Sequence, residues 1–338
     1  MDTAIVSCVF SMNTHWINRV YNLEVFMIDL VITYVDDSNK NWRGNFNYWK
    51  DYEIEHGIID KNSKQAFGVE RTRNWNFLKY WFRSVEKNCK WVNKVFFVVQ
   101  DENHIPEWLN TDYEKLRVVF HKEYLPKELE PTFNSIIIGM YLNEIKDLSE
   151  NFITCDDDMF FMTPIPEDMF FKNNIAQHED NEIPYGYFFD YDEFLHILNN
   201  TFDFEKKYMG KKKIKYHFYH LPAAHKKSFD NRILKDNWDE IMECLKPSKF
   251  RYKTNIDPNI YTNIMKIRRE CDINPKGTMY NNCGYVALKD GVNLEPYKNR
   301  KIVCFNDTDL ANKNFEKVRD DLNNYLESIF SEKSKYER

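Results

Sequence analysis

The run Ile28–Val35 (IDLVITYV) is apolar and rich in β-branched residues, and it breaks abruptly into Asp36-Asp37-Ser38-Asn39. That pattern predicts a buried strand leading into a polar loop. KVFFVVQ (94–100) repeats it and runs into Asp101 and Glu102, and RVVFHKEYLP (117–126) supplies a third strand. Between the first two, Phe77, Leu78, Trp81, Phe82 and Val85 recur at helical spacing, which predicts a helix over 75–88. A second helix is expected over 135–148. The next apolar run, FITCDDDMFF (152–161), reads as a fourth strand, yet it carries three consecutive acids. GYVAL (284–288) and KIVCF (301–305) are two further strands. Phe315, Val318, Leu322, Tyr325, Leu326 and Ile329 then line one face of a C-terminal helix expected to fray from Ser331.

Strands alternating with helices predict an α/β fold, a mostly parallel, Rossmann-like sheet flanked by helices. Ligands of such sheets bind outside the carboxyl ends of the strands. Asp36, Asp101 and Asp156–Asp158 are thereby expected on one rim, facing a crevice. The pattern divides the chain into an N-terminal extension (1–27), a single catalytic domain (28–310) and a C-terminal amphipathic helix (311–338). Around 171–215 it weakens, and an irregular or helical insertion is expected there. Residues 1–26 pattern poorly while Met27 opens directly onto the first strand, so Met27 is the expected start of the natural chain.

Composition narrows the function classes. The chain has 338 residues, 43% of them hydrophobic and 16% aromatic, enough for a large packed core and too many for disorder. A formal net charge of -6 argues against nucleic acid, whose phosphates need a basic face. Seven cysteines are scattered without a C-x-x-C pair, as in reduced thiols of a cytoplasmic protein. No run of about 18 apolar residues exists to span a bilayer.

Three carboxylates inside an apolar run need something to offset them. Adjacent acids at a strand end suit Mg²⁺ or Mn²⁺, hard cations that take oxygen ligands and bridge substrate phosphates. Taken alone, an acid pair is as often a solvated turn, but the flanking apolar residues pull this run toward the core. VDDSNKNWRG (35–44) resembles a calcium loop only superficially, because Trp42 and Tyr48 stand where Gly and Glu are required. Arg251 could clamp a phosphate through its planar fork. No phosphate-binding G-x-x-x-x-G-K-[ST] loop or dinucleotide G-x-G-x-x-G motif occurs.

Four blocks taken in order are more specific than any of these: IDLVITYVDDSNKNW, RTRNWNFLKYWFRSVEKNCKWVNKVFFVVQDENHIPEWLN, PTFNSIIIGMYLNEIKDLSENFITCDDDMFFMTPI and RKIVCFNDTD. Together they resemble the four regions that define the Stealth family. That family includes capsular polysaccharide phosphotransferases and the N-acetylglucosamine-1-phosphotransferase α/β subunits. The resemblance implies transfer of a sugar-1-phosphate from a UDP-sugar to a hydroxyl of an oligo- or polysaccharide acceptor, with release of UMP and help from Mg²⁺ or Mn²⁺. It marks Asp157, Asp158, His220 and Asp307 as catalytic residues, with the metal at Asp157 and Asp158. It marks Asp36, Arg71, Arg83, Arg251 and Asn306 as substrate-binding. The general base is expected in the Asp156–Asp158 run or at His220. The chain departs from the family pattern at Tyr34-Val35-Asp36-Asp37, at Asn74 in place of an acid, and at Asp156 in place of an asparagine.

Two alternatives differ in product or class: a metal-dependent glycosyltransferase releasing UDP, and a catalytically weak carbohydrate-binding homologue. The basic, aromatic stretch Lys206–Lys227 is expected to draw an anionic acceptor or to hold the enzyme at the inner membrane face.

Overall fold

The computed structural model describes residues 26–183, 193–210, 214–216 and 220–338. The extension 1–25 and Lys211–Lys213 lie outside the described residues.

Four strands run parallel: β1 (Ile28–Thr33), β2 (Val95–Val99), β3 (Leu116–Phe120) and β4 (Asn151–Asp156). The strand Ala223–Lys226 adds antiparallel to β4, giving a five-stranded sheet with β1 at its centre. Leu30, Val31 and Ile32 and all of Val95–Val99 are buried, as a parallel sheet covered on both faces requires. The α/β class expected from the alternation is the one found. Asp29 is buried at the foot of β1, where its carboxylate accepts Asn93 Nδ2 (2.7 Å) and the Lys94 (3.1 Å) and Ser149 (2.8 Å) amides. A buried acid so satisfied fixes where β2 and β4 begin.

The acid run is not part of one strand. β4 ends at Asp156, and β5 (Met159–Phe161) belongs to a second, three-stranded sheet beside Ile302–Asn306 and Gly284–Ala287. Asp157 and Asp158 form the turn where the chain passes from one sheet to the other. The Asp158 carbonyl accepts the Phe305 amide at 2.8 Å, which pins that turn to the second sheet. No Gly or Pro marks it, so the apolar residues on either side merge into one apparent strand.

The expected helix over 135–148 is cut short. It is helical over Ser135–Met140, then a 3₁₀ turn over Leu142–Glu144. The Ile145, Lys146 and Leu148 carbonyls, at 2.7, 3.1 and 3.3 Å, are taken by the Lys227 ammonium instead. Gly139 lies where a Cβ would meet Pro258 Cγ at 3.1 Å, which is close approach rather than flexibility. The segment tested as a calcium loop opens a sixteen-residue helix, Lys40–Glu55, capped by Asn39 through the Trp42 amide at 3.0 Å. The segment 171–215 also holds more regular structure than expected: strands Phe171–Lys172, Ile175–Glu179, Glu182–Ile183 and Lys215–Tyr216, and the helix Glu193–Glu205.

The C-terminal helix spans Phe315–Ile329 and buries Val318, Leu322 and Leu326 in the main core. Beyond it the tail does not fray. Asn110 N donates to Tyr336 O and Arg338 N to Trp108 O, both at 2.8 Å. Among the described residues no helix is long and apolar enough to cross a membrane.

Candidate active site

Two adjoining cavities of about 270 and 390 Å³ open along the carboxyl ends of β1 and β4. Their shared lining includes Asp156, Arg71, His220, Arg251, Asn306 and Asp307, residues from distant parts of the chain. Asp157 and Asp158 line the first of them. The rim expected from strand ends alone is therefore where the fold gathers these side chains.

The acids sit in an environment that resists their charge. Burial raises all three. Asp157 is pushed well above the usual carboxylate range by burial and then by Asp158, Asp156 and Asp307. Asp158 is pushed up to about 7, by burial and by Asp156, against the opposing pull of the Cys304 thiol. That thiol donates to Asp158 Oδ2 at 3.3 Å, while Asp158 Oδ1 is buried with no hydrogen-bond partner. Asp156 is also raised by burial, but His220 and Arg251 beside it work in the other direction.

Positive charge gathers nearby. Burial, and then the neighbouring guanidinium of Arg71, pushes Arg251 down to about 9, although Asp257 and Asp156 oppose the shift. Arg251 Nη2 donates to Ser135 Oγ at 2.7 Å, and Arg71 Nη2 to Gln65 Oε1 at 2.7 Å. Two guanidiniums that destabilise each other's charge form a pocket that an anion would relieve. Asp257 was not anticipated from the sequence, because nothing around it in KTNIDPN distinguishes it from an ordinary turn acid.

Asp307 lines the cleft with its carboxylate held by neighbouring donors. It accepts Arg73 Nε (2.5 Å) and Trp75 Nε1 (2.9 Å), and it pairs with Arg73 Nη2. Three donors thus hold the Asp307 carboxylate in a fixed position at the cleft where the sequence expects a catalytic residue. Arg73, not singled out in the sequence, is the residue that matters here; its position between Arg71 and Trp75 in RTRNW was the available signal. Its guanidinium also lies 4.3 Å from the Phe315 ring centroid, tying the C-terminal helix to the cleft. Asn306 Nδ2 donates to the Asp307 carbonyl at 3.0 Å.

Asn74, where an acid was expected, donates to the Tyr34 hydroxyl at 3.1 Å. Tyr34 is held in its protonated form by burial and by Asp36 and Asp157. Asp36 itself closes an Asx turn, accepting the Ser38 amide (3.0 Å) and hydroxyl (2.7 Å). Asp101 instead caps the short 3₁₀ turn Glu102–His104 through the Asn103 amide at 2.9 Å, and it lines neither cavity.

Arg83 is not brought to the cleft. Its Nε and Nη2 form a fork with Glu337, both at 2.8 Å, and its Nη1 donates to the Phe330 carbonyl at 2.8 Å. The helix face that carries Arg83 points to the C-terminal tail. Burial works against the Glu337 carboxylate, but the Arg83 fork and Ser334 together hold it below its usual range. A lowered folded-state value adds stability above the unfolded value of 4.5, and that stability is lost as pH falls through the folded value. Amides of residues 331–338 are therefore expected to lose hydrogen-exchange protection as pH is taken from about 6 to about 3. Protection independent of pH over that range would show that the pair does not hold the tail.

The described lysines of the basic stretch are also engaged within the molecule. Lys206 pairs with Asp203 and Lys207 with Glu240, and Lys226 donates to Asn151 Oδ1 at 2.7 Å. Lys215 is buried and Lys227 caps carbonyls. Lys206 and Lys207 stay about a third exposed in these pairs, whereas Lys215 and Lys227 are taken into the fold.

Residues 71–179 match the family model for Stealth protein CR2, conserved region 2. The capsular polysaccharide phosphotransferase WcwK of Streptococcus pneumoniae is 31% identical over 92% of this chain and 98% of its own length. The exopolysaccharide phosphotransferase cps2G of Lactiplantibacillus plantarum is 24% identical over 93% and 97%. Among solved structures, the galactosyltransferase LgtC overlays loosely, at 10% identity and a TM-score of 0.37 over 87% of this chain and 95% of its own. Similarity along nearly the whole length of a named relative, together with the matched central region, settles the family: the chain belongs to the Stealth family, and with it to the transferases that act on phosphate groups.

Proposed function

We propose that the cleft transfers a sugar-1-phosphate from a UDP-sugar to a hydroxyl of a growing surface polysaccharide, releasing UMP. The observation that carries this reading is the facing of a buried acid run by two mutually repelling guanidiniums, Arg71 and Arg251. A diphosphate between them satisfies the arginines. The named relatives act in capsular and exopolysaccharide synthesis, which supports the acceptor class.

His220, held beside Asp156, takes the proton of the acceptor hydroxyl, and Asp156 stabilises the imidazolium that forms. The acceptor oxygen forms its bond to the phosphorus that carries the sugar. The bond from that phosphorus to the bridging oxygen breaks, and UMP leaves with the electron pair. Arg71 and Arg251 neutralise the phosphoryl oxygens throughout, the kind of positioning and charge compensation that dominates phosphoryl transfer.

Mg²⁺ or Mn²⁺ fits the acid run. Asp158 Oδ1 is buried without a partner, and burial and neighbouring acids raise the proton affinity of both Asp157 and Asp158, a cost that a cation removes. Among the described residues no group of three or more His, Cys, Asp or Glu side chains is arranged to hold a metal alone. Mg²⁺ does not require one, since it commonly takes one or two carboxylates and completes its shell with substrate phosphates and water. Asp157 and Asp158 would hold it, and it would supply charge neutralisation on the diphosphate.

The test is to incubate purified protein with a panel of UDP-sugars, an acceptor glycan and Mg²⁺, and to identify the released nucleotide. UMP is expected, with activity abolished by EDTA and restored by Mg²⁺ or Mn²⁺. UDP would move the protein to the glycosyltransferases, and undiminished turnover in EDTA would move charge neutralisation wholly onto the arginines.

A further inference from the structure

Glu53, near the end of the helix Lys40–Glu55, is 2% exposed and lines neither cavity of the cleft. A carboxylate is tolerated at that depth where donors meet it, and here they come from one short segment far along the chain. Ser248 Oγ donates to Glu53 Oε2 at 2.6 Å, and the Lys249 amide donates to Glu53 Oε1 at 2.7 Å. Two residues beyond Lys249 stands Arg251, one of the two guanidiniums of the cleft.

The bonds continue from the acid to the arginine. The Phe250 amide donates back to Ser248 Oγ at 2.9 Å, and its carbonyl accepts Asn134 Nδ2 at 2.9 Å. The Lys249 carbonyl accepts the Phe133 amide at 2.8 Å. Asn134 is followed by Ser135, whose hydroxyl accepts Arg251 Nη2 at 2.7 Å. The backbone before Arg251 and the guanidinium at its end are thus moored to the same dipeptide. The fully buried Phe250 ring packs against Phe46, Phe67 and Phe133, with ring centroids 5.1, 5.0 and 5.2 Å away. Phe46 lies on the same helix as Glu53, so that helix grips the segment once through a ring and once through a carboxylate.

The mooring matters because Arg251 sits in opposing fields. Arg71 repels its guanidinium, while Asp257 and Asp156 attract it. A long, jointed side chain under such forces keeps its place only as well as its backbone does. A misplacement of about 1 Å at a group that must meet a reacting substrate can cost about a hundredfold in rate. The bonds to the Glu53 carboxylate are charge-assisted, roughly twice as strong as neutral ones, and they are the strongest of those that hold this backbone.

We propose that Glu53 is a positioning residue of the site: through Ser248 and Lys249 it sets where Arg251 presents its guanidinium to a phosphate group. That the phosphate belongs to a UDP-sugar rests on the function proposed above; that Glu53 acts through Arg251 does not.

Titration calorimetry of the full chain with inorganic pyrophosphate tests the assignment, in a double-mutant cycle of Glu53→Gln, Arg251→Met and the two together. Glutamine keeps the shape and one acceptor, and melting temperature is followed on every sample. Glu53→Gln is expected to weaken pyrophosphate binding at least about fivefold, and Arg251→Met about twentyfold. Loss of a negative charge by its field alone would strengthen the binding of an anion, so the expected sign marks positioning. The double variant is expected to bind no more weakly than Arg251→Met, because Glu53 has nothing left to position. Should Glu53→Gln melt early, Ser248→Ala takes its place in the cycle, with an expected loss of about threefold. Binding at wild-type strength or tighter in the folded variant overturns the proposal. So do losses that add in the double variant, which would mean that Glu53 acts elsewhere, and so does a wild-type protein that does not bind pyrophosphate. Failure to release UMP would overturn the donor reading and leave the coupling of Glu53 to Arg251 standing, so the two fail separately.

Discussion

Asp157→Asn and Asp158→Asn each lower turnover by at least about a hundredfold, the usual scale for a lost electrostatic group in a phosphoryl or acyl transfer site. The melting temperature of the metal-free protein holds or rises in the same variants. Both statements come from one geometry. The two carboxylates are raised by burial and by neighbouring acids, Asp157 by Asp158 and Asp158 by Asp156, so ionising them costs folding free energy. Asparagine removes that cost and removes the function with it. A surface acidic turn would give neither effect, since solvent would screen the charges and no substrate would depend on them. Full activity in both variants would take the acid run out of the active site. A large drop in melting temperature would mean that the carboxylates stabilise the fold through contacts the structure does not contain.

Arg73→Met is expected to lower stability by about 3–5 kcal/mol, on the order of 10 °C in melting temperature for a chain of this size. The Arg73 and Asp307 side chains are only 10% and 12% exposed, and removing the guanidinium strands the carboxylate against Trp75. The double variant Arg73→Met/Asp307→Asn should recover a substantial part of that loss, because the uncompensated charge is gone. It should not recover activity, since the wall between the cleft and the C-terminal helix depends on the fork. The exposed pair Lys64–Asp309, at 79% and 62%, makes a control: Lys64→Ala should change stability by less than about 1 kcal/mol. A melting temperature of Arg73→Met within a degree or two of wild type would show that the pair contributes nothing to stability.

Much of the fold was legible because burial on both faces of a parallel sheet writes itself as continuous apolar runs. IDLVITYV and KVFFVVQ are strands where those runs fall, give or take one or two residues at the ends, while RVVFHKEYLP is a strand only over its first four residues and turns through a 3₁₀ segment at His121–Glu123. The C-terminal helix was legible by its stripe of Val318, Leu322 and Leu326. Lys40–Glu55 was not, because it opens with NKNWRGN, polar residues that also suit a loop. Its buried side chains, Trp42, Phe46 and Glu53, are too few to make a stripe. The length of the helix from Ser135 was misjudged for another reason: after Met140 the chain tightens into the 3₁₀ turn Leu142–Glu144, and the carbonyls beyond it are taken by Lys227, some eighty residues away in sequence, which no local signal reports.

What the sequence determined by itself is the family and the approximate place of the acid run. Three acids in an apolar run, a family of blocks in fixed order and the rule that α/β ligands sit at strand ends together put Asp156–Asp158 on a crevice. The first and last of those inferences use local composition and periodicity, which the backbone obeys wherever it lies, and the second rests on resemblance. What only the tertiary structure decided is which charges meet. Arg71 and Arg83 lie twelve residues apart in one block, yet one faces the cleft and the other ties down Glu337, because the helix that follows Phe77 turns its Arg83 face toward the tail. Asp307 and Asp158 look alike as rim acids. One is held by Arg73 and Trp75, and the other keeps a buried oxygen without a donor. Electrostatic interaction energy depends on distance and on the dielectric around each charge, and both are set by contacts between segments hundreds of residues apart.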